Sequence, residues 1–428
     1  MSRRSFGATI DAAAVRARIA DVLSEEVLAR QSVEGGGLSA TEEREIARLA
    51  AIAEVATINQ RRRRDGVPTI DASVEETLVD DAVSAVVGLG RLQALLDDPD
   101  VGDVHVRGCE PVWVRLRDGR REEREPIVDT DAELIDLVRR AATRLSSAER
   151  RFDAGSPDVN VQLPDGSRMF AVMEVSRRPS LVVRRHRYEL SSLSELVGRG
   201  MLDRRTSALL SAAVRARRNL VVAGGTGTGK TTLLRALINE VPRCERIVTI
   251  EDSYELAIDR FPDRHPDHDA LQSRPANIEG RGEVTLSDLA RMALRMDPDR
   301  VIVGEVRGAE AFPMLLAMSQ GNDGSMCTMH ADSSKTALAK LAAYVSMADT
   351  GLPIETVNVM LAGAVHFVVH LGVVDGVRRV QSVREVVDAD GIMVVTNEVV
   401  AASGAAYPLR QSTRDLLSRH GLEQEHAR

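Results

Sequence analysis

An α/β fold with a mostly parallel sheet is predicted for the second half of this 428-residue chain, preceded by a smaller α+β domain and an N-terminal helical segment. Three observations predict it. Beyond residue 200, the short runs LVVAG, RIVTI, RVIVGE and GSMCTMH alternate with helical stretches, as crossover connections between parallel strands require. Between Thr77 and Tyr188, period-two strands mix with helices, and Asp118-Gly119 and Asp165-Gly166 are hairpin dipeptides. The first ~65 residues carry helical periodicity alone.

Taken in order, residues 1–70 read as two amphipathic helices. The first runs from Ile10 to Arg30. The second is opened by Ser39-Ala-Thr-Glu42, which fits a capping box, and closed by Arg61 to Arg64 ahead of Asp65-Gly66. Such an arginine run is either a solvated helix end favoured by the dipole or a contact for anionic lipid or a partner. Residues 75–188 hold the α+β domain, with helices in LVDDAVSAVVGLGRLQALLDD and DAELIDLVRRAATRLSS. Its strands are VGDVHVRG, EPVWVRLRDG, VNVQLPDG, SRMFAVMEV and SLVVRRHR, and none of them carries a catalytic constellation. Residues 189–200 read as a linker, 201–408 as the α/β domain, and 409–428 as a polar tail with a short helix at most. Past His366, runs separated by Asp375-Gly376 and Asp390-Gly391 read as antiparallel strands added to the sheet.

Composition narrows the function. Three lysines stand against 53 arginines, a skew of genome composition, and the formal charge of −8 disfavours nucleic acid as a stable partner. Cys109, Cys244 and Cys327 form no CxxC pair, which points to a reducing compartment. No apolar run is long enough to span a bilayer, and charges interrupt the apolar stretch at the N-terminus, so a soluble, cytoplasmic protein is expected.

The chemistry is concentrated at Gly224-Gly225-Thr226-Gly227-Thr228-Gly229-Lys230-Thr231-Thr232, which satisfies GxxxxGK[ST] between a buried strand and a helix. Each residue type has a reason. Glycines let consecutive amides face phosphate oxygens, and the helix N-terminus adds its dipole. Lys230 reaches the β- and γ-phosphates, and the Thr231 hydroxyl takes Mg2+. From this composition, two glycines and a lysine at those offsets would occur by chance only about 0.02 times.

Three further strand ends add acid, base and sensor. Ile247–Ile250 runs into Glu251, Asp252 and Glu255, three carboxylates that would neighbour the phosphate loop if the strands were adjacent. Val301–Val303 runs into Gly304-Glu305, where a glutamate stands at the usual aspartate position. One carboxylate at such an end can hold a Mg2+ water while another polarises the attacking water, although acidic residues after strands also serve as helix caps. Gly324–Met329 runs into His330. A lone histidine there is more often structural, but all four ends should share the C-terminal sheet edge, where His330 would sense the γ-phosphate.

These four stations, in this order, resemble the secretion-traffic ATPases of the type II/type IV secretion superfamily. The wording is close to the CpaF-like (TadA-like) branch that powers Tad/Flp pilus assembly. GGTGTGKTT resembles its Walker A, TIEDSYEL its Asp box, RMDPDRVIVGEVRGAEA its Walker B and GNDGSMCTMHA its His box. The resemblance covers roughly residues 75 to 400, reaching upstream through VGLGRLQALLDDPDVGDVHVRG and LPDGSRMFAV. It implies a RecA-like P-loop NTPase domain, a hexameric ring, and ATP held between the two domains. Carried over by position, Lys230 and Thr231 bind phosphate and Mg2+, Glu305 belongs to the Walker B, and Glu255 is the water-activating residue. It also implies an arginine from the N-terminal domain or linker; Arg184 in Leu-Val-Val-Arg is the candidate, with Arg185 beside it. The chain departs from the family at Met173–Arg178, where relatives carry a proline-containing segment, and in the cluster Arg184-Arg185-His186-Arg187.

The expected function is thus an ATP-hydrolysing motor, peripheral at the inner face of the cytoplasmic membrane, that drives a polytopic inner-membrane platform protein. A nucleotide-gated scaffold, a small-molecule kinase and a DNA translocase are the alternatives. The intact Glu255 and Glu305 speak against the first, the absence of an evident acceptor pocket or lid against the second, and the acidic charge against the third.

Overall fold

The computed structural model describes residues 14–26, 40–145, 151–163, 166–185, 191–276, 279–402 and 407–423. Two compact units divide it, Met1–His186 and Arg187–Arg428.

In the first unit, helix α1 (residues 14–26) occupies part of the expected Ile10–Arg30 helix. The remainder of that helix, and Ser39 of the expected capping box, lie outside the described residues. Helix α2 (Ala40–Arg64) ends in its four arginines, and Gly66 follows at φ 69°. The expected helix after Thr77 is two, α3 (Ala72–Val87) and α4 (Arg91–Asp97), because Gly90 between them adopts φ 58°. Val15 and Ile19 of α1, Ala51 and Val55 of α2, and Val79 and Val83 of α3 form one cluster, so α3 packs with the N-terminal helices.

The unit continues through β1 (Val101–Arg107), β2 (Val112–Leu116), β3 (Arg121–Arg124), α5 (Asp131–Leu145), β4 (Asp158–Gln162), β5 (Arg168–Val172) and β6 (Ser180–Arg184). The strands form an antiparallel sheet of order β3-β2-β1-β6-β5-β4. Alternate residues such as Val104, Val114, Val161, Met169 and Val183 face α4 and α5, burying one side as period two demands.

The second unit opens with α6 (Leu193–Gly198), whose Ser192 and Glu195 form a capping box. Leu193 and Leu196 are buried in the unit's core, so this part of the expected linker is folded structure. Then come α7 (Arg204–Arg215), β7 (Leu220–Gly224), α8 (Lys230–Ile238), β8 (Ile247–Glu251), β9 (His268–Gln272), α9 (Leu286–Ala293), β10 (Arg300–Val306) and α10 (Ala311–Ser319). The chain ends through β11 (Met326–Met329), α11 (Ser334–Ser346), α12 (Ile354–Ala364), β12 (Phe367–Val374), β13 (Val377–Ala389), β14 (Val394–Ala401) and α13 (Gln411–Arg419).

The sheet order is β14-β13-β12-β7-β11-β10-β8-β9. The six strands from β12 to β9 are parallel, and β13 and β14 are antiparallel additions. This is the expected mostly parallel, RecA-like α/β sheet. Leu220 and Val222 face the layer of α6, α7, α8 and α13, while Val221 and Ala223 face α9 to α12. Burial on both faces explains why these strands read as continuous apolar runs. The polar tail expected from residue 409 departs from this: Leu409, Leu417 and Leu422 are buried in the core, so α13 closes the α7 side.

Candidate active site

Because β7, β8, β10 and β11 are parallel, their C-terminal ends share one edge. The order separates two of them, however. β10 and β11 lie between β8 and the phosphate-loop strand β7, so the loop carrying Glu251, Asp252 and Glu255 is not next to the phosphate loop through adjacent strands. The crossover connections, which local patterns do not encode, set that order.

The phosphate loop leaves a fully buried strand and enters α8 at Gly229, which caps the helix at φ 95°. A Cβ at Gly224 would lie 2.6 Å from the Leu371 carbonyl oxygen, a backbone atom that cannot yield, so glycine is required where the strand becomes the loop. The Gly225 carbonyl accepts from the Thr228 hydroxyl at 2.9 Å and from Lys230 Nζ at 3.0 Å. Gly225, Thr226 and Gly227 are exposed, and Thr231 and Thr232 stand half-buried in the first turn of α8. Burial lowers the Lys230 pKa from the ordinary lysine value, while the carboxylates of Glu305 and Glu255 pull it back.

β10 loses register with β11 between Val303 and Val306. The bulge re-aims Glu305, which is exposed while Val303 and Val306 stay buried, and Thr328 donates its hydroxyl to the Gly304 carbonyl at 2.6 Å. His330, directly after β11, sits between the two: Nε2 is 3.0 Å from Glu305 Oε1 and Nδ1 is 3.4 Å from Lys230 Nζ. Lys230, His330 and Glu305 thus form one continuous polar chain.

The three carboxylates after β8 do different work. Glu251 is 2% exposed, and one of its oxygens accepts the amides of Glu255 at 2.7 Å and Leu256 at 2.8 Å, folding the turn that carries Glu255. Burial raises its pKa to about 7. Gly304 makes room for it, since a Cβ there would come within 3.2 Å of Glu251 Cγ. Asp252 is held outward by the Arg307 guanidinium at 2.7 Å and the Ser273 hydroxyl at 2.6 Å. That leaves Glu255, half-buried, as the carboxylate of this loop whose charge reaches Lys230.

Sequence reasoning missed Arg307, although it stands two residues after Glu305 where a cation can latch the β8 loop to the β10 loop. It also missed Glu310, whose carboxylate accepts the amides of Arg307 at 2.6 Å and Gly308 at 2.9 Å and shapes that turn. In the first unit, Arg184 is well exposed, with Asp103 3.8 Å from its Nε. Arg185 is committed, its guanidinium donating to the backbone carbonyls of Asp98 and Val101. His186 and Arg187 lie outside the described residues.

Comparison with known proteins agrees with this geometry. Residues 87–402 match the family described as type II/IV secretion system protein. A Mycobacterium tuberculosis protein assigned provisionally to conjugal transfer is 38% identical over 295 residues, 67% of this chain and 80% of that protein. VirB11, a type IV secretion system protein of Brucella suis, is 30% identical over 339 residues, covering 71% of this chain and 91% of that protein. Among solved structures, the Legionella pneumophila ATPase DotB shares the fold, with a TM-score of 0.50 at 18% identity over 77% of this chain and 82% of that one. With a family match over more than half its length and a phosphate loop, acid and histidine at one sheet edge, the chain belongs to the type II/IV secretion system protein family, a family of secretion and pilus ATPases.

Proposed function

We propose that the chain is the ATP-hydrolysing motor of a Tad/Flp-type pilus or a related type II/IV secretion system, working as a hexamer on a polytopic inner-membrane platform protein. The observation that carries this reading is the Lys230–His330–Glu305 chain at the mouth of the phosphate loop, with Glu255 in electrostatic reach. Among the described residues no helix is long and apolar enough to cross a membrane, as suits a motor docked at the cytoplasmic face of a membrane partner.

In this reading the amides from Gly224 to Thr232 cradle the phosphates, and Lys230 exchanges the Gly225 carbonyl for β- and γ-phosphate oxygens. Thr231 and Glu305 offer a hydroxyl and a carboxylate, hard oxygen donors that fit Mg2+, and that ion, when bound, neutralises charge on the phosphates. Glu255 accepts the proton of the attacking water, for which the Glu251-folded turn holds it in position. His330, bonded to both Lys230 and Glu305, registers whether a γ-phosphate stands between them. Arg184 supplies a further positive charge from the first unit.

One observation favours a second cargo. The relative 38% identical to this chain is assigned provisionally to conjugal transfer, so a machine that moves DNA with protein is the competing reading. The formal charge of −8 speaks for a protein cargo. Stimulation of turnover by DNA would reverse that preference.

The test is phosphate release per subunit against protein concentration, with Mg2+ and saturating ATP. Specific activity that climbs with concentration is expected of a ring in which assembly completes the site. Appreciable activity independent of concentration, with a monomer in solution, would overturn the ring motor.

A further inference from the structure

The β12–β13 hairpin runs past the start of the phosphate loop, and it carries an arginine whose stem lies over the helix that follows the loop. Leu371 of β12 is in register with Gly224 of β7, so residues 372–374 run on past the point where β7 becomes the loop. The chain reverses at Asp375 and Gly376, with φ of 50° and 77°, and returns as β13 with Arg378 opposite Val373. The Arg378 side chain then lies over the start of α8: its Cδ is 3.4 Å from the place a Cβ on Gly229 would take. Arg378 is exposed, and its side chain has no hydrogen-bond or ion-pair partner among the described residues.

The N-terminus of α8 carries the positive end of the helix dipole, and the stem of Arg378 stands over that end. An anion held by the loop amides would have this arginine on its hairpin side.

We infer that Arg378 is a nucleotide-positioning residue that holds the diphosphate common to ADP and ATP from the hairpin side, within the same chain as the phosphate loop. The inference rests on the reading of that loop as the nucleotide site. Arg379 is the internal control. It pairs with Gly372, so it stands on the opposite face of the hairpin from Arg378.

The experiment is titration of the full chain with ADP, ATP and adenosine at two salt concentrations, for wild type, Arg378→Ala, Arg378→Lys, Arg379→Ala and Lys230→Ala. For Arg378→Ala, affinity for ADP and ATP should fall alike by about tenfold, as loss of a charge-assisted hydrogen bond predicts. Adenosine binding should not change, salt dependence should become shallower, and the nucleotide-free protein should melt no lower than wild type. Arg378→Lys should recover part of the loss, and Arg379→Ala should match wild type. Equal ADP affinity in wild type and Arg378→Ala overturns the inference and leaves the loop reading intact. A loss seen with ATP alone, or with adenosine as well, overturns the assignment to the shared diphosphate. If wild type binds no better than Lys230→Ala, the loop reading fails and takes the inference with it.

Discussion

At the scale of single residues, the carboxylates after β8 show how neighbours decide what identical side chains do. Glu251 and Glu255 are four residues apart, yet one is buried under the turn that the other occupies. Replacing Glu255 by Gln keeps the shape and removes the carboxylate proposed as the base, so turnover should fall by about 10²–10⁴ with nucleotide affinity unchanged. Phosphate release beside ADP titration checks it, and full activity would disprove the base. For Glu251 the consequence is a stability that depends on pH. Its folded pKa of about 7 lies above the ordinary 4.5, so between those values the native protein holds a proton that the unfolded chain has released. The stabilisation is therefore complete below pH 4.5 and lost as pH rises through 7, by about 3 kcal/mol in total. Glu251→Gln keeps an oxygen for the two amides and does not titrate. Its stability relative to wild type should rise by about that amount from acid to pH 8. Denaturant melts at several pH values read the difference, and parallel curves would refute it.

At the scale of elements, the N-terminal ends of the strands are tied as closely as the C-terminal ends are open. Asn219, fully buried just before β7, accepts from the amides of Gly324 at 2.7 Å and Ser325 at 2.9 Å, and donates to the carbonyls of Met318 at 2.8 Å and Ala364 at 2.6 Å. One side chain thus joins the starts of β7 and β11 to the ends of α10 and α12. Asn219→Ala strands these buried groups and should cost on the order of 4 kcal/mol. The urea midpoint should drop with an unchanged slope, and a loss below about 1 kcal/mol would show that the groups find other partners. Such elements also mark what the sequence makes legible. The β7 strand, the glycine loop and α8 were readable because a buried strand, a phosphate loop and a helix start are all encoded within a dozen residues. The strands β3, Arg-Glu-Glu-Arg, and β9, His-Asp-Ala-Leu-Gln, were not, since both are sheet edges whose polar residues lack the apolar alternation of interior strands. Nor was the separation of β8 from β7, because strand order depends on which way each crossover returns. Arg378 was hidden for the same reason: a hairpin was readable at Asp375-Gly376, but its height above Gly229 follows from the register of β12 on β7.

At the scale of the whole molecule, the residues of the proposed site are drawn from two units, and each can be tested in its own unit. The second unit carries the phosphate loop, Glu305, His330 and Glu255, all built on one sheet edge. The last strand of the first unit ends at Arg184, and Arg185 follows it, adjacent in sequence but opposite in commitment. Arg185 anchors the start of β1 through the carbonyls of Asp98 and Val101, and its backbone amide donates to the Gly102 carbonyl at 3.0 Å. Arg184 has Asp103 only at 3.8 Å and is 60% exposed, so ordering it against a phosphate costs little existing structure. The two arginines should therefore separate cleanly. Arg184→Ala should lower turnover by about tenfold or more, as removal of a charge acting on the phosphates predicts, while the melting of the protein stays within about 0.5 kcal/mol of wild type. Arg185→Ala should do the reverse, costing about 1–2 kcal/mol of stability through its lost carbonyl bonds and sparing turnover per folded subunit. Calorimetry and phosphate release on the same preparations decide between them. If Arg185→Ala were the one to lose turnover at unchanged stability, Arg185 would replace Arg184 in the proposed function, and if neither lost turnover the proposed arginine would fall.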